Sequence, residues 1–171
     1  MAAKPSKSEL KKMCKELKSI MRNFRGVPEY AEMTDEAAIR CTNCYAYAFG
    51  LTLFVEAHEY FGFLGWTIGK YENVKGVKLA ESRLATDVSR MGLNLLKSED
   101  ASMPEKGFKI AFFLMDDGNF HFMRINKDGT WSEKNGYGGN VQKLEDDEGN
   151  ALLPEQIRFP EATFVGYYVV A

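Results

Sequence analysis

Residues 119–135 read NFHFMRINKDGTWSEKN, two β-prone runs around an Asn-x-Asp-Gly turn, and this hairpin constrains the fold more than any other stretch. Such a turn suits a type I conformation closed by a left-handed glycine, the common three-residue hairpin loop, in which Asn126 pairs with Thr130. Counting outward from that pair sets Ile125 opposite Trp131, Met123 opposite Glu133 and His121 opposite Asn135. All six side chains then share one face of the sheet.

The elements around the hairpin follow from periodicity. FKIAFFLM, starting at Phe108, is a strand apolar on both faces, and TFVGYYVV closes the chain as another. Upstream, Leu84, Val88, Met91 and Leu95 mark a helix, and a short helix follows Thr34. From Cys44 to Phe61 the sequence is apolar nearly all round, which predicts a buried central helix. Asn43 caps its start, so Cys44 takes the first helical position. GFLGWTIGKYENVKGV reads as loop and short strand. EDDEGN reads as a solvated turn, since it lacks the alternating oxygen ligands of a calcium loop. Helices precede antiparallel strands, so the fold class is α+β: N-terminal helices and a buried central helix packed on an antiparallel sheet.

Leu10, Met13, Leu17, Ile20, Met21 and Phe24 recur at helical spacing, giving an amphipathic helix over about 7–25. Its other face is basic, with Lys4, Lys7, Lys11, Lys12, Lys15, Lys18, Arg22 and Arg25 against only Glu9 and Glu16. Such a face is either solvated or a seat for an anionic surface or an acidic protein. With 171 residues and 45% hydrophobic content, the chain makes one domain of ordinary size that needs no disulfide staples. A net charge of -2 gives no reason to expect nucleic acid. No stretch of signal-peptide type opens the chain, so a cytoplasmic location or a signal-peptide-independent route is expected, as a monomer.

Cys41 and Cys44 have the spacing of a metal site, a redox pair or a single nucleophile. A zinc site needs two more ligands, and His58 and His121, the only histidines, are too far apart for the second half of a finger. A thioredoxin-like pair follows a strand, whereas TDEAAIR before Cys41 looks helical. Nucleophilic catalysis fits better. A thiolate at a helix N-terminus is stabilised by unpaired amides and the helix dipole, and Cys44 has that position. It is in register with Ala48, Leu51 and Val55, on the side that packs on the sheet.

A nucleophilic thiol requires an imidazole as base and later as acid. His121 is the candidate, on the strand face with Met123 and Ile125 that is expected to meet the helix. A third group orients the imidazole: Asn135 lies across from it and Glu133 on the diagonal. The oxyanion is held by the backbone amide of Cys44, with Asn43, Thr42 or Tyr30 open as a second donor. Metal and cofactor are not called for.

This order of helix-starting cysteine, strand histidine and polar residue on the next strand resembles papain-like hydrolases, most closely the NlpC and CHAP amidases. In NlpC-type enzymes the third residue comes about twelve positions after the histidine, which falls on Glu133 here. A nearer likeness is to a group of largely bacterial proteins sharing Asn-Cys-Tyr-x-Tyr-Ala, His-x-Tyr-Arg and Asp-Gly-x-Trp-Ser-His-Lys. These stand here as NCYAYA from Asn43, HFMR from His121 and DGTWSEK from Asp128. The chain departs at Glu133, where the motif has histidine, at Met123, where it has tyrosine, and at Ala38, where papain carries a glutamine. The resemblance implies a papain-like domain over 1–171 and a cysteine peptidase or amidase acting on a peptide or amide-containing substrate. The competing class is a binding protein on the same fold with an incidental cysteine.

Overall fold

The structure is a computed structural model that describes residues 26–36, 39, 42–50, 76–90, 92–136 and 138–171. The basic helix expected over 7–25 lies outside them, as do Ala38, Cys41 and His58. Two α-helices are described, α1 (Cys44–Ala48) and α2 (Val77–Arg90), with six strands: β1 (Leu95–Ser98), β2 (Phe108–Met115), β3 (Phe120–Ile125), β4 (Trp131–Lys134), β5 (Val141–Lys143) and β6 (Ala162–Val170). The strands form one antiparallel sheet in the order β1-β6-β2-β3-β4-β5. The class is therefore α+β.

β2 and β6 are central because their apolar residues occur on both faces, which only a strand covered twice can use. Alternation divides the sheet into two cores. The first face carries Phe108, Ile110, Phe112 and Leu114 of β2 with Phe122 of β3, and is covered by α1 and α2 through Tyr45, Phe49, Ala80, Leu84 and Val88. The second carries Ala111, Phe113, Met123, Ile125 and Trp131, and is covered by residues of the long connection to β6, among them Leu152, Ile157 and Phe159.

The hairpin has the expected register: Ile125 pairs with Trp131 and Met123 with Glu133. Its loop closes through the Asn126 amide to the Thr130 carbonyl at 2.7 Å, with Gly129 at φ 85°. β4, however, ends at Lys134, so the pair His121–Asn135 does not form, and Asn135 is exposed.

Two helix expectations are corrected. Leu95 belongs to β1, paired with Val170. The helix before it stops earlier because Gly92, at φ 77°, donates to the Ser89 carbonyl while Leu93 donates to that of Val88, a Schellman closure. The helix from Cys44 begins as expected but closes after Ala48, where Gly50 at φ 73° donates to the Tyr47 carbonyl. The rest of that apolar run lies outside the described residues. A helical turn does follow Thr34, with the Ile39 amide on the Asp35 carbonyl. EDDEGN is a turn in which Asp146 accepts from the Glu148 and Asn150 amides. No described helix is long and apolar enough to cross a membrane.

Phe122 joins the two layers: its ring stacks on Tyr45 and on Phe112, both at 4.6 Å between centroids, and meets Phe120 edge-on. Phe122→Ala should lower the unfolding free energy by about 3–5 kcal/mol in urea titration. Leu96→Ala, at a side chain 60% exposed, should stay within about 0.5 kcal/mol.

Candidate active site

Cys44 opens α1 because Asn43 caps it: the Asn43 side-chain oxygen accepts from the Ala46 amide at 2.9 Å. That occupies the Asn43 oxygen with the helix end. The thiol faces the sheet and is 5% exposed. α1 sits on β3 and β4 through its two tyrosines. Tyr45 stacks on Phe122, and its hydroxyl donates to Asp87 of α2 at 2.8 Å. The Tyr47 hydroxyl shares a 2.7 Å hydrogen bond with Ser132 of β4, which in turn donates to the Asn126 side chain.

Those contacts put α1 on the face of Phe122 and Ser132, not on the face of His121, Met123 and Ile125 where it was expected. The His121 ring lies on the second face, edge-on to Phe159 at 5.3 Å. The thiol and imidazole are nevertheless neighbours, near enough that Cys44 helps to raise the His121 pKa. The explanation is in the backbone of β3. The Asn119 carbonyl bonds the Met115 amide of β2, so the next carbonyl, that of Phe120, points the other way, toward β4. β4 has already ended there. The Cys44 sulfur lies 4.0 Å from that Phe120 oxygen, on the side of β3 that a longer β4 would pair with.

The opposite side of the ring is held by Glu133. His121 Nε2 is 2.6 Å from Glu133 Oε2, which leaves Nδ1 for the thiol. Glu133 Oε1 accepts from Gln142 Nε2 at 2.9 Å, so both carboxylate oxygens are engaged. His121, Glu133 and Gln142 thus form one hydrogen-bonded row across β3, β4 and β5, with Cys44 of α1 beside its His121 end. The sequence reading missed Gln142; its only signal is its place on β5 opposite Glu133. Asn135 is exposed beyond the end of β4, and of the two candidate orienting residues the structure brings Glu133 to the ring. Thr42, two residues before Cys44, is fully buried, and among the described residues its hydroxyl has no hydrogen-bond partner.

The electrostatics oppose burial to charge pairing. Desolvation lowers the His121 pKa, but hydrogen bonds and charge from Cys44 and Glu133 outweigh it and raise the value from 6.5 to about 9. Burial likewise pushes Glu133 up, yet its bonds to His121 and Gln142 leave it below its ordinary value. His121 therefore carries its proton at neutral pH beside an ionised carboxylate.

No protein-family model, curated protein or solved structure matches this chain.

Because the folded His121 pKa lies above its unfolded value, the stability it contributes is complete below pH 6.5 and is lost as pH rises through about 9. The depressed pKa of Glu133 acts at the other end: its contribution is present above the unfolded value and lost as pH falls through the folded one. NMR titration of the imidazole should give a midpoint near 9 in the native chain, and a lower one in both Glu133→Gln and Cys44→Ala. An unchanged midpoint in Glu133→Gln would contradict the pairing.

Proposed function

We propose that the chain is a papain-like cysteine hydrolase, a peptidase or amidase that cleaves an amide or thioester through an acyl-enzyme. The observation that carries this reading is the grouping of Cys44, His121 and Glu133: a thiol beside an imidazole whose Nε2 is 2.6 Å from a carboxylate, all three nearly closed to solvent. Each part has a chemical use. Cys44 attacks the carbonyl carbon, forming the C–S bond as the carbonyl electrons move to oxygen. In this reading the Cys44 amide, at the first position of α1, donates to that oxyanion. As the intermediate collapses, the C–N bond breaks and the His121 imidazolium gives its proton to the leaving amine. Water then adds to the acyl carbon, His121 accepts its proton, and the C–S bond breaks to restore the thiolate and imidazolium.

Glu133 supports this cycle as a positioning residue. It fixes which nitrogen faces the sulfur and stabilises the imidazolium, and its charge does so more firmly than a neutral amide. The same reading accounts for a buried histidine, glutamate and thiol on three separate elements, an arrangement costly to desolvate unless the groups pair with one another.

Iodoacetamide separates this reading from a binding protein with an incidental cysteine. At neutral pH Cys44 should be alkylated faster than Cys14 and Cys41. Cys44→Ala should remove the fast phase and His121→Ala should slow it. Against acyl-aminocoumarin amides, His121→Ala should lose about 10²–10⁴ in kcat/KM. Equal slow labelling of all three cysteines would overturn catalysis.

A further inference from the structure

Arg124 stands on the first face of β3 and is 4% exposed. Its surroundings use little of its capacity. Nη1 donates to the Tyr47 carbonyl at 3.0 Å, and the guanidinium lies 4.2 Å from the centroid of the Tyr47 ring. Nε has no hydrogen-bond partner, although it is buried. A guanidinium has five N–H donors in a planar fork and keeps its charge at neutral pH. Burial pushes the Arg124 pKa down, with Tyr47 acting the other way. A buried cation is ordinarily paired with an anion, and among the described residues no carboxylate pairs with this one.

The guanidinium borders a cavity of about 450 Å³. Buried Arg124, Tyr47 and Met33 line its inner part, and exposed Glu32 stands at its rim with Asp35 and with Glu29, which is itself 3.4 Å from the Lys127 ammonium. The two ends carry opposite charge. A simple anion meets repulsion at the rim and a simple cation meets it at the floor; a molecule bearing both charges at opposite ends satisfies each.

We propose that this cavity binds a small zwitterion of the α-amino acid type, with its carboxylate on the Arg124 fork, its ammonium among the rim carboxylates and an apolar side chain against Met33 and Tyr47. A carboxylate supplies the two coplanar acceptors that match a guanidinium fork. The volume falls within the range of small-molecule pockets. The site is separate from the thiol: Arg124 is four residues along β3 from Phe120, roughly 13 Å at the rise of a strand.

The test uses the full chain and three matched probes: L-leucine, isocaproate, which lacks the amine, and isoamylamine, which lacks the carboxylate. Titration calorimetry at pH 7 should show saturable binding of L-leucine, with each analogue at least about tenfold weaker. Glu32→Gln changes an exposed rim residue and leaves the fold intact; it should weaken L-leucine about two- to fivefold without weakening isocaproate. Arg124→Gln, if circular dichroism finds it folded, should abolish L-leucine binding. Absence of saturable binding, equal binding of isocaproate and L-leucine, indifference to Glu32→Gln, or retained binding in folded Arg124→Gln would each overturn the proposal. Should Arg124→Gln fail to fold, Glu32→Gln and the analogue series decide.

Discussion

The docking of α1 onto the β3–β4 hairpin is the constraint on which the rest of the molecule depends. A helix of five residues has no stability of its own, because nucleation costs more than so few hydrogen bonds return. Its position is imposed by two tyrosines that point in different directions. Tyr45 places its ring on Phe122 and its hydroxyl on Asp87, fastening α1 to both the sheet and α2. Tyr47 reaches through Ser132 to Asn126, the residue that opens the hairpin turn. Each of these buried polar groups has a partner, and removing one partner leaves the other unsatisfied at a cost of about 1–3 kcal/mol. The same burial keeps the Tyr45 hydroxyl protonated: desolvation first, then the charge of Asp87, hold its pKa well above the ordinary value.

With the helix held, the position of the thiol follows, and so does the electrostatic character of the site. Cys44, His121 and Glu133 come from three elements and are each mostly buried. Taking three ionisable groups out of water is unfavourable for each alone, and the opposing shifts of His121 and Glu133 express how far pairing offsets that cost. Gln142 completes the balance by donating to the carboxylate oxygen that the imidazole does not use. An ionised glutamate in this place makes the imidazolium the favoured form. In the proposed hydrolase, a general acid with so high a pKa would give up its proton reluctantly, so leaving-group departure would depend on the intermediate's own basicity as well as on His121.

The hairpin was the most legible part of the chain because its information is local: Asn126, Asp128 and Gly129 specify the turn, and the turn specifies the register. That register put Glu133 diagonal to His121, which is where the contact occurs. The nearness of Cys44 and His121 was also legible, but the helix takes the opposite face of the sheet from the one expected. Alternation says which residues share a face and is silent on which face a helix takes. Here the choice is made by Tyr45 on Phe122 and by the segment around Phe159, which fills the opposite face; both are long-range contacts with no periodic signature. Reading Tyr45 and Tyr47 as part of an apolar run hid the hydroxyl contacts that do the positioning. β1 and β5 were missed because four- and three-residue strands with charged and polar members carry too short a pattern. Gly50 and Gly92 fall inside the apolar patterns and so leave the helical periodicity unbroken, whereas their positive φ ends each helix.

The premature end of β4 is best understood as a requirement of the site. If β4 ran two residues further, Asn135 would pair with His121 and the strand would occupy the edge of β3 where the Cys44 sulfur now lies. The chain instead leaves the sheet at once. Gly136, at φ 56°, donates back to the Lys134 carbonyl, and the buried Lys134 ammonium bonds the Gly136 carbonyl at 2.6 Å, tying the turn from both sides. Gly139 then passes so close that a Cβ there would meet the Asn135 carbonyl oxygen at 2.3 Å, so only glycine permits this tight return. Two ladder hydrogen bonds are given up, and a buried lysine is committed to a backbone carbonyl. What the sheet gains is an unpaired edge of β3 at Phe120, whose carbonyl oxygen lies 4.0 Å from the Cys44 sulfur.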